Sequence, residues 1–218
     1  MKWVESRRFG LLLVATFLVL ILPAFSGKGI LGEILFVASM SFLLIQSMIV
    51  ASTKKSKLLF LRYFILILMI TIFWLEPAGI ETPVLDIIRL LLIVLFFLFV
   101  TFFLLRFIRK APEVNVDVII TAVNIYLLMG LIFSSLAFTF YKLIPGAYNF
   151  PAYITEPVFV NFNYYSFITM TTVGYGDITP LLPQTQTLAY FIAVTGQLYV
   201  AIIMAFLVGK LLMKDNDK

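Results

Sequence analysis

The chain has 218 residues, of which 62% are hydrophobic and 12% are charged, and this composition excludes a soluble globular domain. It contains no cysteine and no histidine, which removes disulfides, thiolate chemistry and the commonest metal ligand and general base. The sequence therefore indicates an integral membrane protein and gives little support to an enzyme.

Six apolar segments are long enough to cross a bilayer, whose hydrocarbon core needs about 20 helical residues. They cover residues 9–25, 30–51, 58–75, 84–107, 116–141 and 185–213. A shorter segment, 160–171, lies between the last two and suits a re-entrant helix, which enters the membrane without crossing it. The first segment has an alternative as a cleaved signal peptide, because it follows Lys2, Arg7 and Arg8 and ends in a sequence like a cleavage site at 24–27. Its length favours a retained helix.

Basic residues concentrate at segment ends that share one side of the membrane. An amino terminus in the cytoplasm places on that side Lys2, Arg7, Arg8, Lys54, Lys55, Lys57, Arg62, Arg106, Arg109, Lys110, Lys210, Lys214 and Lys218. The opposite side keeps Lys28, Arg89 and Lys142. This bias predicts that both termini are cytoplasmic and that the loop after the fifth segment is outside. It also accounts for the net charge of +5 without a nucleic-acid partner.

Between the fifth and sixth segments the sequence reads TTVGYGD, from Thr171 to Asp177. A strand whose carbonyl oxygens all face one axis needs φ > 0 at alternate residues, and only glycine reaches that region at little steric cost. Gly174 and Gly176 stand at this alternation, while Val173 and Tyr175 are expected to point away from the axis and brace the strand. Rings of such oxygens are what a dehydrated K⁺ requires.

With this motif, the segment from about 116 to 213 resembles the pore module of tetrameric potassium channels, which contains an outer helix, a pore helix, a filter and an inner helix in this order. The resemblance implies a homotetramer in membrane lipid, in which K⁺ is bound by the filter residues Thr172, Val173, Gly174, Tyr175 and Gly176. The backbone carbonyls supply the oxygens, and the Thr172 hydroxyl forms the innermost ring. Conduction is then passive and needs no cofactor beyond the permeant K⁺.

The resemblance also implies that the pore helix, 161–171, supports the filter. Tyr164 is expected to form a hydrogen bond with Asp177, and Tyr165 with Tyr175. Plain aromatic packing is the alternative for both tyrosines. Thr171, at the end of the helix, belongs to the same support.

The last segment resembles the family's inner helix and places Gly196 at the position of its gating hinge. A glycine within a helix costs about 1 kcal/mol relative to alanine, so Gly196 indicates either a flexible point or a close packing contact. Val200, Met204 and Val208 recur every four residues. They form either a hydrophobic gate that lines the pore or a face that packs against lipid or other helices.

The first four segments occupy the position of a voltage sensor but lack its charges. Such a sensor needs several basic residues along its fourth helix, whereas residues 90–105 are uncharged and contain Thr101 as their only polar residue. Because an intramembrane charge is costly alone, we expect a structural ion pair of Arg89 with Asp86 or Glu33. A lipid or ligand contact is the alternative. Voltage gating is not expected.

The connection between the fourth and fifth segments is short and contains Pro112, so it cannot form a long linker helix. We therefore expect domain 1–110 to pack beside the pore domain, 111–218, of its own subunit. The outer loop, 142–159, reads equally as an ordered turret or as a linker. We expect no cytoplasmic regulatory domain after Lys214.

The sequence thus predicts an all-α membrane protein with six transmembrane helices, a re-entrant pore helix and a filter loop. The predicted function is voltage-independent, potassium-selective conduction at the cell membrane. A weakly selective cation channel is one alternative, against which Tyr175 argues, and a non-conducting subunit that modulates a partner channel is another. An intramembrane enzyme would need clustered acids, which Glu33, Asp86 and Asp177 do not form.

Overall fold

A computed structural model describes residues 2–25, 30–51, 59–75, 78–79, 82–154 and 158–216. The described residues form seven α-helices and one two-stranded antiparallel ladder. In chain order the elements are α1 (Lys2–Phe25), α2 (Ile30–Ala51), α3 (Leu59–Trp74), α4 (Pro83–Lys110), α5 (Val116–Leu143), β1 (Tyr148–Asn149), α6 (Phe159–Met170), β2 (Thr179–Pro180) and α7 (Pro183–Asn216). Outside the described residues lie Lys28, Lys54, Lys55, Lys57, Lys218, positions 26–27 and the side chains of Lys2 and Lys214.

Four of the described helices are long and apolar enough to cross a membrane: Ile30–Ala51, Pro83–Lys110, Val116–Leu143 and Pro183–Leu212. Arg62–Trp74 forms a shorter apolar helix. These helices confirm the prediction of an all-helical, multi-pass membrane protein. The prediction of six spans and a re-entrant helix goes further than these four and stays a prediction.

The connection from α4 to α5 is irregular, as the proline in it requires. The Ala111 N–H donates to the carbonyls of Phe107 and Ile108 and ends α4. The Asn115 side chain then accepts a hydrogen bond from the Val118 N–H at 3.1 Å and begins α5. With only the residues 111–115 between them, the two helices turn back on each other.

The four-helix unit α1–α4 packs against the rest of the same chain. Phe97 of α4 and Leu128 of α5 are fully buried in one continuous apolar core. The Asn124 side chain of α5 donates a hydrogen bond of 3.0 Å to the Phe9 carbonyl of α1. Phe36 of α2 lies with its ring centroid 5.5 Å from that of Phe159 on α6. Within the chain, α5 and α6 are therefore the support on which the four-helix unit rests.

Arg89, near the amino-terminal end of α4, is buried and paired with a carboxylate. Its Nη1 atom lies 3.1 Å from Asp86 Oδ1, and its Nε atom donates to the Ile72 carbonyl of α3 at 3.1 Å. Asp86 Oδ2 lies 3.2 Å from Lys142 Nζ of α5. Of the two partners that the sequence allowed, Arg89 therefore contacts Asp86; Glu33 is exposed and forms no ion pair with any described residue. Through Lys142, the Asp86 carboxylate connects α4 to α5. Through Arg89, which also donates to the Ile72 carbonyl, it connects α4 to α3.

We expect Asp86→Ala to destabilise the fold more than Lys142→Ala. Removing the carboxylate takes an ion-pair partner from the buried Arg89 guanidinium, and we expect this loss to cost about 2 kcal/mol. The Lys142 side chain is 39% exposed, and its loss should cost about 0–1 kcal/mol. The thermal unfolding midpoint of each purified variant in detergent measures the difference. Equal midpoints for the two variants would show that Asp86 does not serve mainly to neutralise Arg89.

Candidate functional site

α6 is a short, buried helix that leads into the TTVGYGD segment. Its 12 residues span about 18 Å, which is too short to cross a hydrocarbon core of about 30 Å. The Asn161 side chain accepts a hydrogen bond from the Val158 N–H at 2.9 Å and orders the first turn. At the other end the Thr171 hydroxyl donates to the Phe167 carbonyl at 2.8 Å. The helix therefore ends where the motif begins.

The backbone of the motif has a positive φ at every second residue. The φ angles are 62° at Thr172, 54° at Gly174 and 77° at Gly176. The glycines stand where the sequence analysis placed the alternation, but the sequence analysis did not anticipate that Thr172 shares it. A β-branched residue in this region is strained. Thr172 lies two positions before Gly174, so extending the alternation backwards along the sequence would have predicted its positive φ.

Two backbone hydrogen bonds hold this strand against the end of α6. The Thr172 N–H donates to the Thr169 carbonyl at 3.0 Å, and the Gly174 N–H donates to the Ile168 carbonyl at 3.1 Å. No hydrogen bond from a described residue reaches the carbonyls of Thr172, Val173, Gly174 or Tyr175. The strand thus uses amide groups for support and leaves a run of carbonyl oxygens available to a ligand. Hard, oxygen-seeking cations are the ligands that such oxygens suit.

Tyr164 and Asp177 join α6 to the end of the motif. The Tyr164 hydroxyl donates a hydrogen bond of 2.7 Å to Asp177 Oδ2, and Asp177 Oδ1 accepts from the Ile178 N–H at 3.0 Å. The hydrogen bond to Asp177 raises the pKa of Tyr164 to about 12, because it stabilises the protonated phenol. The Tyr164 ring also stacks on Tyr175, with centroids 6.5 Å apart.

Tyr165 does not contact Tyr175 in the way the sequence suggested. Its hydroxyl is buried and has no hydrogen-bond partner among the described residues. Its ring packs edge-on against Tyr148, with centroids 5.5 Å apart. The expected Tyr165–Tyr175 hydrogen bond is therefore not formed within the chain, because Tyr165 points into the outer-loop packing while Tyr175 stacks on Tyr164.

The outer loop is ordered over residues 144–154 and packs against the residues that follow the motif. β1 pairs with β2, so that Tyr148 lies opposite Pro180 and Asn149 opposite Thr179. The Ala147 carbonyl accepts hydrogen bonds of 3.0 Å from the Leu181 N–H and of 3.0 Å from the Thr185 hydroxyl. The sequence left an ordered turret and a linker open; these contacts make residues 144–154 an ordered part of the fold, and a role as a turret stays a prediction. No local pattern indicates the Ala147–Thr185 contact.

Two glycines let α6 approach its neighbouring helices closely. A Cβ atom added at Gly196 of α7 would lie 2.3 Å from the Met170 carbonyl oxygen. One added at Gly130 of α5 would lie 2.2 Å from the Phe167 ring. The close packing that the sequence allowed at Gly196 is thus present, and α7 continues as a helix through it. A hinge at Gly196 stays a prediction, and Gly130 was missed because an isolated glycine in an apolar helix carries no specific signal.

The remaining predicted residues are exposed in the single chain. Val200, Met204 and Val208 share a face of α7 that the chain does not cover. Val173 and Tyr175 are 54% and 72% exposed beside the motif. Apolar surface of this extent requires a cover of lipid or of further protein.

Comparisons with known proteins agree with this geometry. Residues 121–213, which include α6, the motif and most of α5 and α7, match a family model whose description is "Ion channel". A protein named "Two pore potassium channel c", from Oryza sativa subsp. japonica, is 33% identical over 87 residues, which make up 40% of this chain and only 17% of the rice protein. No solved structure matches the chain. These findings support an ion channel among multi-pass membrane proteins.

We expect Gly196→Ala to destabilise the packing of α7 on α6, because the new methyl group meets backbone that cannot rotate away. The cost should be about 2 kcal/mol, as for overpacked cores. Gly209→Ala is the matched control, since a Cβ there meets no atom within 4 Å and alanine favours the helix by about 1 kcal/mol. Unfolding midpoints in detergent should fall for the first variant and stay or rise for the second. An unchanged midpoint for Gly196→Ala would contradict the close contact.

We expect Tyr164→Phe to loosen the end of the motif and Tyr165→Phe to leave it unchanged. The first change removes a hydrogen bond worth about 1 kcal/mol, so the Ile178 amide beside Asp177 should exchange with deuterium about fivefold faster. The second removes a hydroxyl that has no partner in the described chain. Hydrogen exchange of the 173–178 segment measures both. Faster exchange in Tyr165→Phe alone would reverse these assignments.

Proposed function

We propose that this chain is one subunit of a homotetrameric, potassium-selective channel that conducts K⁺ passively. The observation that carries the proposal is the run of carbonyl oxygens from Thr172 to Tyr175, which lies in a backbone with alternating positive φ and accepts no hydrogen bond from a described residue. A hydrated K⁺ entering such a strand exchanges its water for these oxygens. The match of residues 121–213 to an ion-channel family model supports the same function.

The need for several chains follows from the geometry of one. A single strand offers oxygens from one side only, whereas a dehydrated cation must be surrounded. Only 11% of the apolar window in α7 is buried within the chain, against 50% in α4 and 50% in α5. Four chains around one axis would bury Val173 and Tyr175 between subunits and place four α7 helices around the path.

In the proposed channel the described residues have separate tasks. The carbonyls of Thr172, Val173, Gly174 and Tyr175 bind the ion, with the Thr172 hydroxyl as the innermost ligand. Ions in neighbouring sites repel one another, and this repulsion prevents an ion from binding too tightly to leave. The carboxyl end of α6 adds the negative end of a helix dipole, which favours a cation. No cofactor other than the permeant K⁺ takes part.

We propose that voltage does not gate this channel. Arg89 is held by Asp86 and by the Ile72 carbonyl, and the following residues 90–105 carry no charge that a field could move. The proposed topology has six membrane helices, a re-entrant α6 and both termini in the cytoplasm. Domain 1–110 then lies in lipid beside the pore domain 111–218 of its own subunit.

The test is K⁺ against Na⁺ flux through the purified protein in liposomes, with Ba²⁺ as blocker and a voltage ramp on the same preparation. We expect Ba²⁺-sensitive, K⁺-selective current that varies little with voltage. Gly174→Ala is the internal control: a side chain at φ 54° is strained by about 1 kcal/mol or more, so this variant should lose selective current. Comparable Na⁺ flux would indicate a weakly selective channel. If the wild type carries no K⁺ flux and the variants Val200→Ala, Met204→Ala and Val208→Ala carry none either, the result would indicate a non-conducting subunit.

A further inference from the structure

The carboxyl-terminal half of α7 is joined to the rest of its chain by two directional contacts. The Tyr199 hydroxyl donates a hydrogen bond of 2.7 Å to the Ala122 carbonyl of α5. Eleven positions later the Lys210 ammonium donates to the Ala111 carbonyl, in the connection between α4 and α5. Within the described residues, apolar side chains such as Ile203 and Leu207 add further packing to this half of the helix.

The Tyr199 contact fixes the rotation of α7 about its own axis. Tyr199 follows Gly196 by one helical turn, so it lies just beyond the place where α7 is packed tightly on α6. Its ring packs near Tyr126, with centroids 5.9 Å apart, on the same side as Ala122. A hydrogen bond in apolar surroundings tolerates little rotation, whereas apolar contacts allow sliding. Rotation of α7 relative to α5 would break this bond first.

The Lys210 contact links α7 to the four-helix unit. Ala111 ends α4, and its N–H is bonded to the carbonyls of Phe107 and Ile108 in the last turn of that helix. The Lys210 ammonium also lies 5.2 Å from the Phe206 ring centroid one turn earlier on α7, which directs the side chain. A displacement of α4 can therefore reach α7 through the Ala111 carbonyl.

The candidate gate residues Val200, Met204 and Val208 lie between these two contacts. The surrounding residues Leu198, Ile202 and Leu211 are exposed within the chain. Ile203 and Leu207 are partly buried against the apolar core, but such contacts permit sliding, so the two hydrogen bonds supply the directional part of the restraint on this half of α7. By contrast, the half before Gly196 is anchored by Ile192 and Thr185, which are fully buried.

Resting on the proposed function, we propose that Tyr199 and Lys210 are positioning residues for the gate: they hold the lower half of α7 in one position and thereby set the open probability. Lys210 is the contact through which the four-helix unit acts on the pore. Since both bonds stabilise the same position of α7, loss of either shifts the equilibrium between open and closed states in the same direction.

The test compares single-channel open probability of Tyr199→Phe, Lys210→Met, whose side chain cannot donate, and the double variant in lipid bilayers. Each single change should shift the equilibrium about two- to tenfold per subunit, as expected for loss of one hydrogen bond, and the double variant should show the product. Lys210→Arg, which can still donate, should restore most of the wild-type value. Tyr190→Phe is the control, because Tyr190 is an exposed tyrosine before Gly196 on the same helix. K⁺ selectivity and unitary conductance should stay constant throughout.

A second readout needs no current. The natural chain has no cysteine, so Ile202→Cys, an exposed position between the two contacts, accepts a single spin label. We expect the label to become more mobile when Tyr199→Phe or Lys210→Met is added, and unchanged with Tyr190→Phe. If the wild type and its Val200→Ala, Met204→Ala and Val208→Ala variants all conduct nothing while the mobility changes as expected, the proposed function fails, but the two contacts still position α7. Opposite shifts of open probability in the two variants, or no change in both readouts, would overturn the inference.

Discussion

The rest of the site depends on a backbone that is both strained and short of hydrogen bonds. Thr172 holds φ at 62°, which for a β-branched residue costs on the order of 1–3 kcal/mol. The carbonyls that follow it accept no hydrogen bond from a described residue, and an unsatisfied carbonyl away from water costs several kcal/mol. A strand of this kind relaxes unless its surroundings fix it, and a bound cation or water supplies what its oxygens lack.

Three sets of contacts hold the strand in this conformation. At the α6 end, the Ile168 carbonyl accepts a hydrogen bond from the Gly174 N–H, so that the strand follows the end of α6. At the far end, Tyr164 holds Asp177, and β1 holds the residues after it through β2. Behind α6, Phe162 is fully buried among the aromatic rings of Phe138, Tyr141, Tyr148 and Phe150. The outer loop is therefore part of the support of the strand.

Sequence reasoning succeeded where the information is local. The expected short helix 160–171 corresponds to α6 at Phe159–Met170, because its apolar character and the motif after it bound it on both sides. The partner of Arg89 proved to be Asp86, three residues away on the same helix. What the sequence did not reveal involves residues far apart: Ala147 with Thr185, Phe9 with Asn124, and Gly130 with the Phe167 ring. The orientation of Tyr165 belongs to this group, since it depends on Tyr148 in a loop whose order no periodicity predicts.

The packing also divides α7 into two halves with different freedom. Before Gly196, the helix is fixed by the outer loop through Thr185 and by the backbone of α6 at Met170. After it, the chain offers Tyr199 and Lys210 as its directional contacts and leaves most of the apolar surface uncovered. A movement of the free half therefore need not disturb the strand at Thr172–Tyr175, because the close contact at Gly196 separates them. In the proposed channel, where the strand stays rigid while the second half of α7 moves, this close contact is the boundary between the two.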